Sequence, residues 1–434
     1  MGRKIRLIAL IVGLLALIGA LAGTGAATAP PGTVVMSGLD NPRGLAFGPE
    51  GGLYVAEAGR GGPGPPCAVI RGLLQCVGAS GAVSRLWHGA QERIATALPS
   101  YAPAGGAGAT GPHDISLHGR GGAYVTIGLG ANPDFQAVLG QDFGHLARLK
   151  PSGGWSRDAD ISAYEATHNP DLSPVPDSNP YGVLAQAGGQ VVTEAGGNDL
   201  LRVASNGTIS TLAVFPSRPQ GRPTDSVPTG VVVGPDGAYY VGEPTGAPFF
   251  VDGARVYRVV PGHAPQPYGP VFSFIIDLGW GPDGHLYVLQ LASGAGLTGP
   301  GELFRVESNG TKTLVVNGLE SPGGLAFGPG NTLYISNRGT SAGTGEVLRF
   351  SLPLPPQPPP PPPPPAPASC LVPRVIGFRL PPAKAAIRHF KCSVGRVRYA
   401  HARRRNIGRV IAQAPKGGRR RPAGTRVTLV LGRK

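Results

Sequence analysis

Between Cys370 and Lys434 the sequence contains no aspartate and no glutamate, against 18 lysines and arginines. The whole chain of 434 residues has 39 basic and 24 acidic residues, a formal net charge of +15. All 24 acids therefore lie before Cys370, where only 21 basic residues oppose them. Three of those, Arg3, Lys4 and Arg6, precede the first apolar run, so the body that follows is acidic by about six charges. A chain of uniform charge is excluded. One part is mildly acidic, and the other is a polycation whose natural counterpart is a polyanion.

Long apolar runs are also scarce. Leu7 to Leu21 is the single such stretch, and no later run approaches the roughly 20 residues of a spanning helix. The run is short for an anchor, follows three basic residues and leads into small residues from Ala22 to Ala29. This is the order of a signal peptide, expected over 1–29, with Ala27-Thr28-Ala29 as a cleavage context. The mature protein is then secreted or held in the cell envelope, with no span left after cleavage.

Cysteine occurs four times. The spacing lacks the close pairs that a tetrathiolate zinc site needs. In an exported chain the expectation is two local disulfides, Cys67 with Cys76 and Cys370 with Cys392.

Glycine and proline are abundant, at 70 and 48 residues, without a collagen period. Most of the glycine falls in repeats. One unit reads Pro-x-Gly, a short apolar strand, a Gly-rich turn, then an aromatic-Val pair and a polar residue. It runs from Pro42 to Glu57 and recurs from Pro112, Pro180, Pro228, Ile275 and Pro322. A second unit has arginine at its third position: Arg85, Arg148, Arg202, Arg258, Arg305 and Arg349. Six repeats of four short antiparallel strands, a to d, predict an all-β fold, a six-bladed β-propeller over 33–352. The sixth repeat lacks its strand d. Thr33 to Leu39 parallels Thr313 to Leu319, so the N-terminal strand is expected to complete the last blade and close the ring.

Proline fills most of 353–368, which predicts an extended polyproline linker. From 369 to 434 the order is Val372-Pro373, a helix from Pro382 to Phe390, Gln413-Ala414-Pro415 and a final strand around Val427 to Val430. This order resembles the PASTA domain of penicillin-binding proteins and bacterial receptor kinases. The resemblance implies a small α+β module that associates with peptidoglycan. Arg403, Arg404, Arg405, Arg419, Arg420 and Arg421 are the expected contacts to peptidoglycan or another anionic wall polymer. Nucleic acid would satisfy the same charge, but export and the lack of stacking aromatics argue against it.

The long insertions, 59–82, 100–111, 128–145 and 159–179, fall mainly on b–c and d–a connections and should crowd one face of the first three blades. That face is where a small molecule, glycan or protein would bind. Two polar rings are expected near it. The ends of strand b contribute Glu57, Ile127, Glu194, Glu243, Gln290 and Asn337. The starts of strand a contribute Arg43, His113, Asp114, Tyr181, Thr229 and Asp277. Glu57, Glu194 and Glu243 could hold Ca²⁺ through oxygen ligands. His113, Asp114 and Glu194 are the candidates for acid–base catalysis.

Residues 38–49, Gly111-Pro112-His113-Asp114, Asn179-Pro180-Tyr181-Gly182 and Glu194-Ala195-Gly196-Gly197-Asn198 resemble the ScyD/ScyE family of exported propellers, found with scytonemin-pigment gene clusters. The family implies a fold and an extracytoplasmic location more than a reaction. Gluconolactonase-like propellers place metal-binding Asn and Asp within Pro-x-Gly motifs. Here Arg43, Tyr181, Thr229 and Gly323 stand at those points, which argues against the same metal site. The leading expectation is a binding or scaffold protein. The alternative is an exported lactonase-like hydrolase or sugar dehydrogenase.

Overall fold

In a computed structural model the chain divides into two compact units, Met1–Pro353 and Leu354–Lys434. The structure describes residues 32–119, 122–151, 153–220, 222–352 and 369–434. The signal peptide expected over 1–29 and the proline linker expected over 353–368 lie outside the described residues.

Each repeat folds into its own antiparallel sheet, with strand a innermost. Blade 2 is Pro112–His118, Gly122–Ile127, His145–Leu149 and Trp155–Asp160. Blade 3 is Pro180–Gln186, Gly189–Glu194, Asp199–Ala204 and Ile209–Val214. Blade 4 is Val231–Val233, Tyr239–Gly242, Ala254–Val259 and Gln266–Phe272, and blade 5 is Ile275–Trp280, Leu286–Gln290, Gly301–Val306 and Lys312–Leu319. Blade 6 supplies Gly324–Gly328, Thr332–Asn337 and Gly345–Ser351, and its fourth strand is Thr33–Leu39. Thr33 pairs with Arg349 and Leu39 with Gly345. The ring is a six-bladed propeller closed by the N-terminal strand, so no blade is left with a three-stranded edge.

Blade 1 departs from the expected pattern. Its a and b strands are Pro42–Phe47 and Leu53–Glu57, but the connection expected as a loop over 59–82 is largely strand. Cys67–Ile70 pairs with the start of a 15-residue strand, Leu73–Trp87, and Ala90–Ala102 pairs with that same strand. The turn between the first two is Arg71-Gly72, with φ of 50° and 82°. Both residues in the left-handed region define a tight two-residue hairpin. Cys67 and Cys76 face each other across it and are disulfide-bonded.

The repeated arginine also acquires a reason. Tyr54 pairs with Arg85, Tyr124 with Arg148, Tyr240 with Arg258, Tyr287 with Arg305 and Tyr334 with Arg349. Blade 3 alone has Val191 opposite Arg202. In blades 4 and 5 the acid of the a–b turn joins in. Asp236 accepts from Arg258 Nε (2.6 Å) and Tyr240 Oη (3.3 Å), and Asp283 accepts from Tyr287 Oη (2.9 Å). The cross-strand pair packs a guanidinium stem beside an aromatic ring and fixes strand register on the short-turn face.

Between blades the packing is apolar. Val55, Val125, Val192, Val241, Val288 and Ile335 on the b strands are all fully buried. Along the axis, polar staples cross from blade to blade. Thr126 Oγ1 donates to the Tyr181 carbonyl, Thr193 Oγ1 to the Thr229 carbonyl (2.5 Å), Thr229 Oγ1 to the Ile275 carbonyl (3.0 Å) and Ser336 Oγ to the Arg43 carbonyl (2.6 Å).

The C-terminal unit is built on a mixed sheet in which Ser393–His401 runs parallel, and Val410–Ala414 antiparallel, to the central strand Arg426–Arg433. A helix, Leu380–His389, turns Ala383 and Ile387 into a core with Val372, Val427 and Leu429. Cys370 and Cys392 are disulfide-bonded within it.

Candidate functional site

The strand-b ring is present where expected, but it is buried and bonded. Glu57, Ile127, Glu194 and Glu243 are fully buried, and Gln290 and Asn337 nearly so. Most of its polar members latch the d–a connection that enters their own blade. Asp40 N–H donates to Glu57 (2.7 Å), Asn179 N–H to Glu194, Ser273 N–H to Gln290 (2.8 Å) and Glu320 N–H to Asn337 (2.7 Å). Ser226 Oγ donates to Glu243. Glu57 is further held by Arg93 (2.7 Å) and Ser84 Oγ (2.6 Å). The three carboxylates named for Ca²⁺ thus sit in separate blades with protein partners. Among the described residues no group of three or more His, Cys, Asp or Glu side chains could hold a metal ion.

The strand-a ring does come together at the axis. Asp114 accepts the N–H of Ile115 and, from the next blade, that of Val183, both at 2.8 Å. Asp277 likewise accepts Leu278 N–H and Leu325 N–H at 2.8 Å. A Cβ on Gly44 would fall 1.8 Å from Asp114 Oδ1, so only glycine lets blade 1 approach that carboxylate. Burial raises the Asp114 carboxyl well above its usual range, with the Asp277 charge adding to it. Burial lifts Asp277 to about 7.

His113 is buried against Tyr181, with ring centroids 4.7 Å apart, and its Nδ1 lies 3.2 Å from the Pro180 carbonyl. Burial first, then the Arg43 charge, pushes its pKa down to about 3. It is therefore a neutral imidazole at any physiological pH and a weak general base. A Cβ on Gly128 would meet both His113 and Asn179 Oδ1, which puts these two side chains next to one another. Arg43 Nη2 donates to the Ala109 carbonyl (3.0 Å), while its Nε is buried without a partner. Asn179 Oδ1 and Asp177 Oδ1 are also buried and unpartnered.

Arg71, at the turn of the disulfide-stapled hairpin, is the exposed member of this group. It lies close enough to Tyr101, His113 and Asp177 for its charge to shift all three. Two cationic donors, two orphaned oxygens and an aromatic pair thus converge at the long-insertion face over blades 1 to 3. Arg71, Asp177 and Asn179 were not among the sequence candidates. Each belongs to an irregular insertion, where no repeat position marks it.

Two acids beside Glu194, Glu165 and Asp199, were also missed. The helix Ile161–His168 starts at Asp160, whose side chain caps Ala163 N–H (2.9 Å), and ends at left-handed Asn169. It delivers Glu165 to the place a side chain on Gly197 would occupy. Glu165, Glu194 and Asp199 are all buried, and Glu165 Oε1 and both Asp199 oxygens lack a partner. Burial, then the Glu194 charge, raises Glu165 to about 9; burial raises Glu194 to about 8, and Asp199 also rises.

In the C-terminal unit Arg403, Arg404, Arg405, Arg419, Arg420 and Arg421 are all exposed. No acidic residue exists in this stretch to neutralise them.

No protein-family model matches the chain, and no curated protein sequence matches it. Solved structures do. A gluconolactonase from Xanthomonas campestris aligns over 74% of this chain and 94% of its own, with 11% identity and a TM-score of 0.46. Virginiamycin B lyase from Staphylococcus aureus aligns over 73% and 85%, with 15% identity and a TM-score of 0.41. A PQQ-bound aldose sugar dehydrogenase from Streptomyces coelicolor aligns over 74% and 99%, with 14% identity and a TM-score of 0.44. These are propeller-like folds, in keeping with the four-stranded sheets described above. At such identities they carry nothing about this chain's chemistry.

Proposed function

We propose that this is an extracytoplasmic binding protein of the ScyD/ScyE type. Its propeller takes a small, oxygen-rich ligand in the pit over blades 1 to 3, and a PASTA-like basic unit holds it to peptidoglycan or another anionic wall polymer. One observation carries the reading of the pit. Arg43 Nε and Asn179 Oδ1 are buried, unpartnered and adjacent to a neutral His113, so a ligand with both donor and acceptor oxygens would satisfy them. The carboxylates that an enzyme would use, Glu57, Asp114, Glu194 and Asp277, already accept hydrogen bonds from the fold.

A hydrolase or dehydrogenase at the axis is the rival reading. It draws on Asp277, whose carboxyl at about 7 has the acidity of a general acid. The discriminating experiment is calorimetric titration of the full chain with glucuronate and with glucono-δ-lactone. Saturable binding that is lost in Arg43→Gln and Asn179→Leu, without turnover of the lactone, supports the binding protein. Turnover abolished by Asp277→Asn supports the enzyme. Cosedimentation with purified cell wall tests the basic unit. Binding should fall when Arg419, Arg420 and Arg421 are replaced by alanine, and DNA should not compete at moderate salt.

A further inference from the structure

We propose that the propeller carries a second ligand site, on the face opposite the pit, for an apolar molecule bearing a single negative charge. The site is a cleft of about 620 Å³ between blades 1 and 2. This volume is within the range of small-molecule sites.

Its position follows from how the seams are closed. Blades 2 and 3, 3 and 4, 4 and 5, and 6 and 1 are joined near the axis by side-chain hydroxyls, and blades 5 and 6 by Asp277. Among the described residues no such bond joins the inner strands of blades 1 and 2. Their seam is tied elsewhere. Tyr101 Oη donates to the Leu129 carbonyl toward the long-insertion face, and Trp155 Nε1 donates to the Ala97 carbonyl at the outer strands (3.4 Å). Between these ties the apolar layer opens toward the short turns. Ile94 forms one wall, and Leu117, Ala123 and Leu149 the other. The same four side chains pack with the cluster that fills the seam, so a ligand entering here continues a hydrophobic layer already present.

The charge preference comes from the rim. Arg85 and Glu50 line the cleft, but both are committed. Arg85 is ion-paired with Glu92, and Glu50 accepts from Tyr54 Oη (2.5 Å). Lys150, in the c–d turn of blade 2, also lines the cleft, is exposed, and its ammonium makes no ion pair or hydrogen bond among the described residues. Among the described residues that line the cleft, Lys150 is the one free cation above an apolar wall, which fits an aromatic or long-chain acid anion whose charged end meets Lys150 while its body displaces water from Leu117 and Leu149.

The test is fluorescence titration of the full chain with 8-anilinonaphthalene-1-sulfonate and with its uncharged analogue N-phenyl-1-naphthylamine. Two variants keep the C-terminal basic unit intact. Lys150→Gln removes the cation, and Ala123→Phe fills the cleft. The expected result is one saturable site per chain for both probes. Lys150→Gln weakens the sulfonate about tenfold but leaves the neutral probe unchanged. Ala123→Phe abolishes both, with circular dichroism confirming that each variant folds. Ala123→Ser, a smaller change, serves if Ala123→Phe does not fold, and should leave the neutral probe bound but weaker. The absence of a saturable site, or equal binding by wild type and all variants, overturns the proposal.

Discussion

Asp114 and Asp277 occupy the same place in blades three apart around a ring of six, and each accepts a backbone N–H from the following blade at 2.8 Å. They are staples between blades as well as acids at the axis. Replacing either by alanine leaves a buried N–H, of Val183 or Leu325, without an acceptor. Each change should cost about 1–3 kcal/mol in urea unfolding. The Asp277 charge also raises the Asp114 carboxyl, so each single change relieves the same repulsion, and Asp114→Asn and Asp277→Asn combined should cost more than the sum of the two at pH 8. Strict additivity would mean that the two carboxyls do not sense each other.

The acidic group of blade 3 predicts a pH dependence. Glu165 and Glu194 are raised to about 9 and about 8 from a usual value of 4.5. The folded state therefore holds protons that the unfolded state releases. The stabilisation is complete below about pH 4.5 and is lost as pH rises toward 8 and 9. The melting temperature should fall by several degrees between pH 5 and pH 8.5, and Glu165→Gln should flatten that slope. A melting temperature that rises over this interval would contradict the arrangement.

The hairpin that carries Arg71 is closed by the Cys67–Cys76 disulfide, a separation of nine residues. Replacing both cysteines by serine should cost about 2–3 kcal/mol by loop entropy. The larger effect should fall on the pit, where Arg71 loses its fixed position. Ligand affinity should drop while Asn337 and Gln290, in blades 6 and 5, keep their latches, as read by amide exchange at Glu320 and Ser273.

Those latches are themselves testable. Gln290→Leu leaves Ser273 N–H without its acceptor, and Asn337→Leu does the same to Glu320 N–H. Each should destabilise by about 1–3 kcal/mol and speed exchange of that one amide ahead of its neighbours. Lys150→Gln, on an exposed turn, should change stability by less than about 0.5 kcal/mol.

Much of the architecture was legible in the residues. The spacing of Pro42, Pro112, Pro180, Pro228, Ile275 and Pro322 marks six inner strands. The likeness of Thr33–Leu39 to Thr313–Leu319 identifies the strand that closes the ring, because each stretch leads into the same Pro-x-Gly unit. Cysteine pairing followed from proximity in the chain. Strand-end polar positions were also readable from the period, and the structure places Glu57, Glu194, Gln290 and Asn337 at those ends. What they do there was not readable. Whether a carboxylate meets an ion, water or a neighbour's N–H depends on residues brought in from other strands and from the insertions, such as Arg93 against Glu57 and Ser178 against Glu194.

The sequence by itself determined the number of blades, their strand order and the charge of the C-terminal stretch, because these depend on local patterns of burial, turn and composition. Only the tertiary structure decided which polar groups are left without partners. Arg43 and Asp199 come from separate strands and Asp177 and Asn179 from an insertion, and their burial is set by how six sheets pack around one axis. The cleft between blades 1 and 2 has the same origin, since a gap in packing belongs to two surfaces at once and to no single segment of chain.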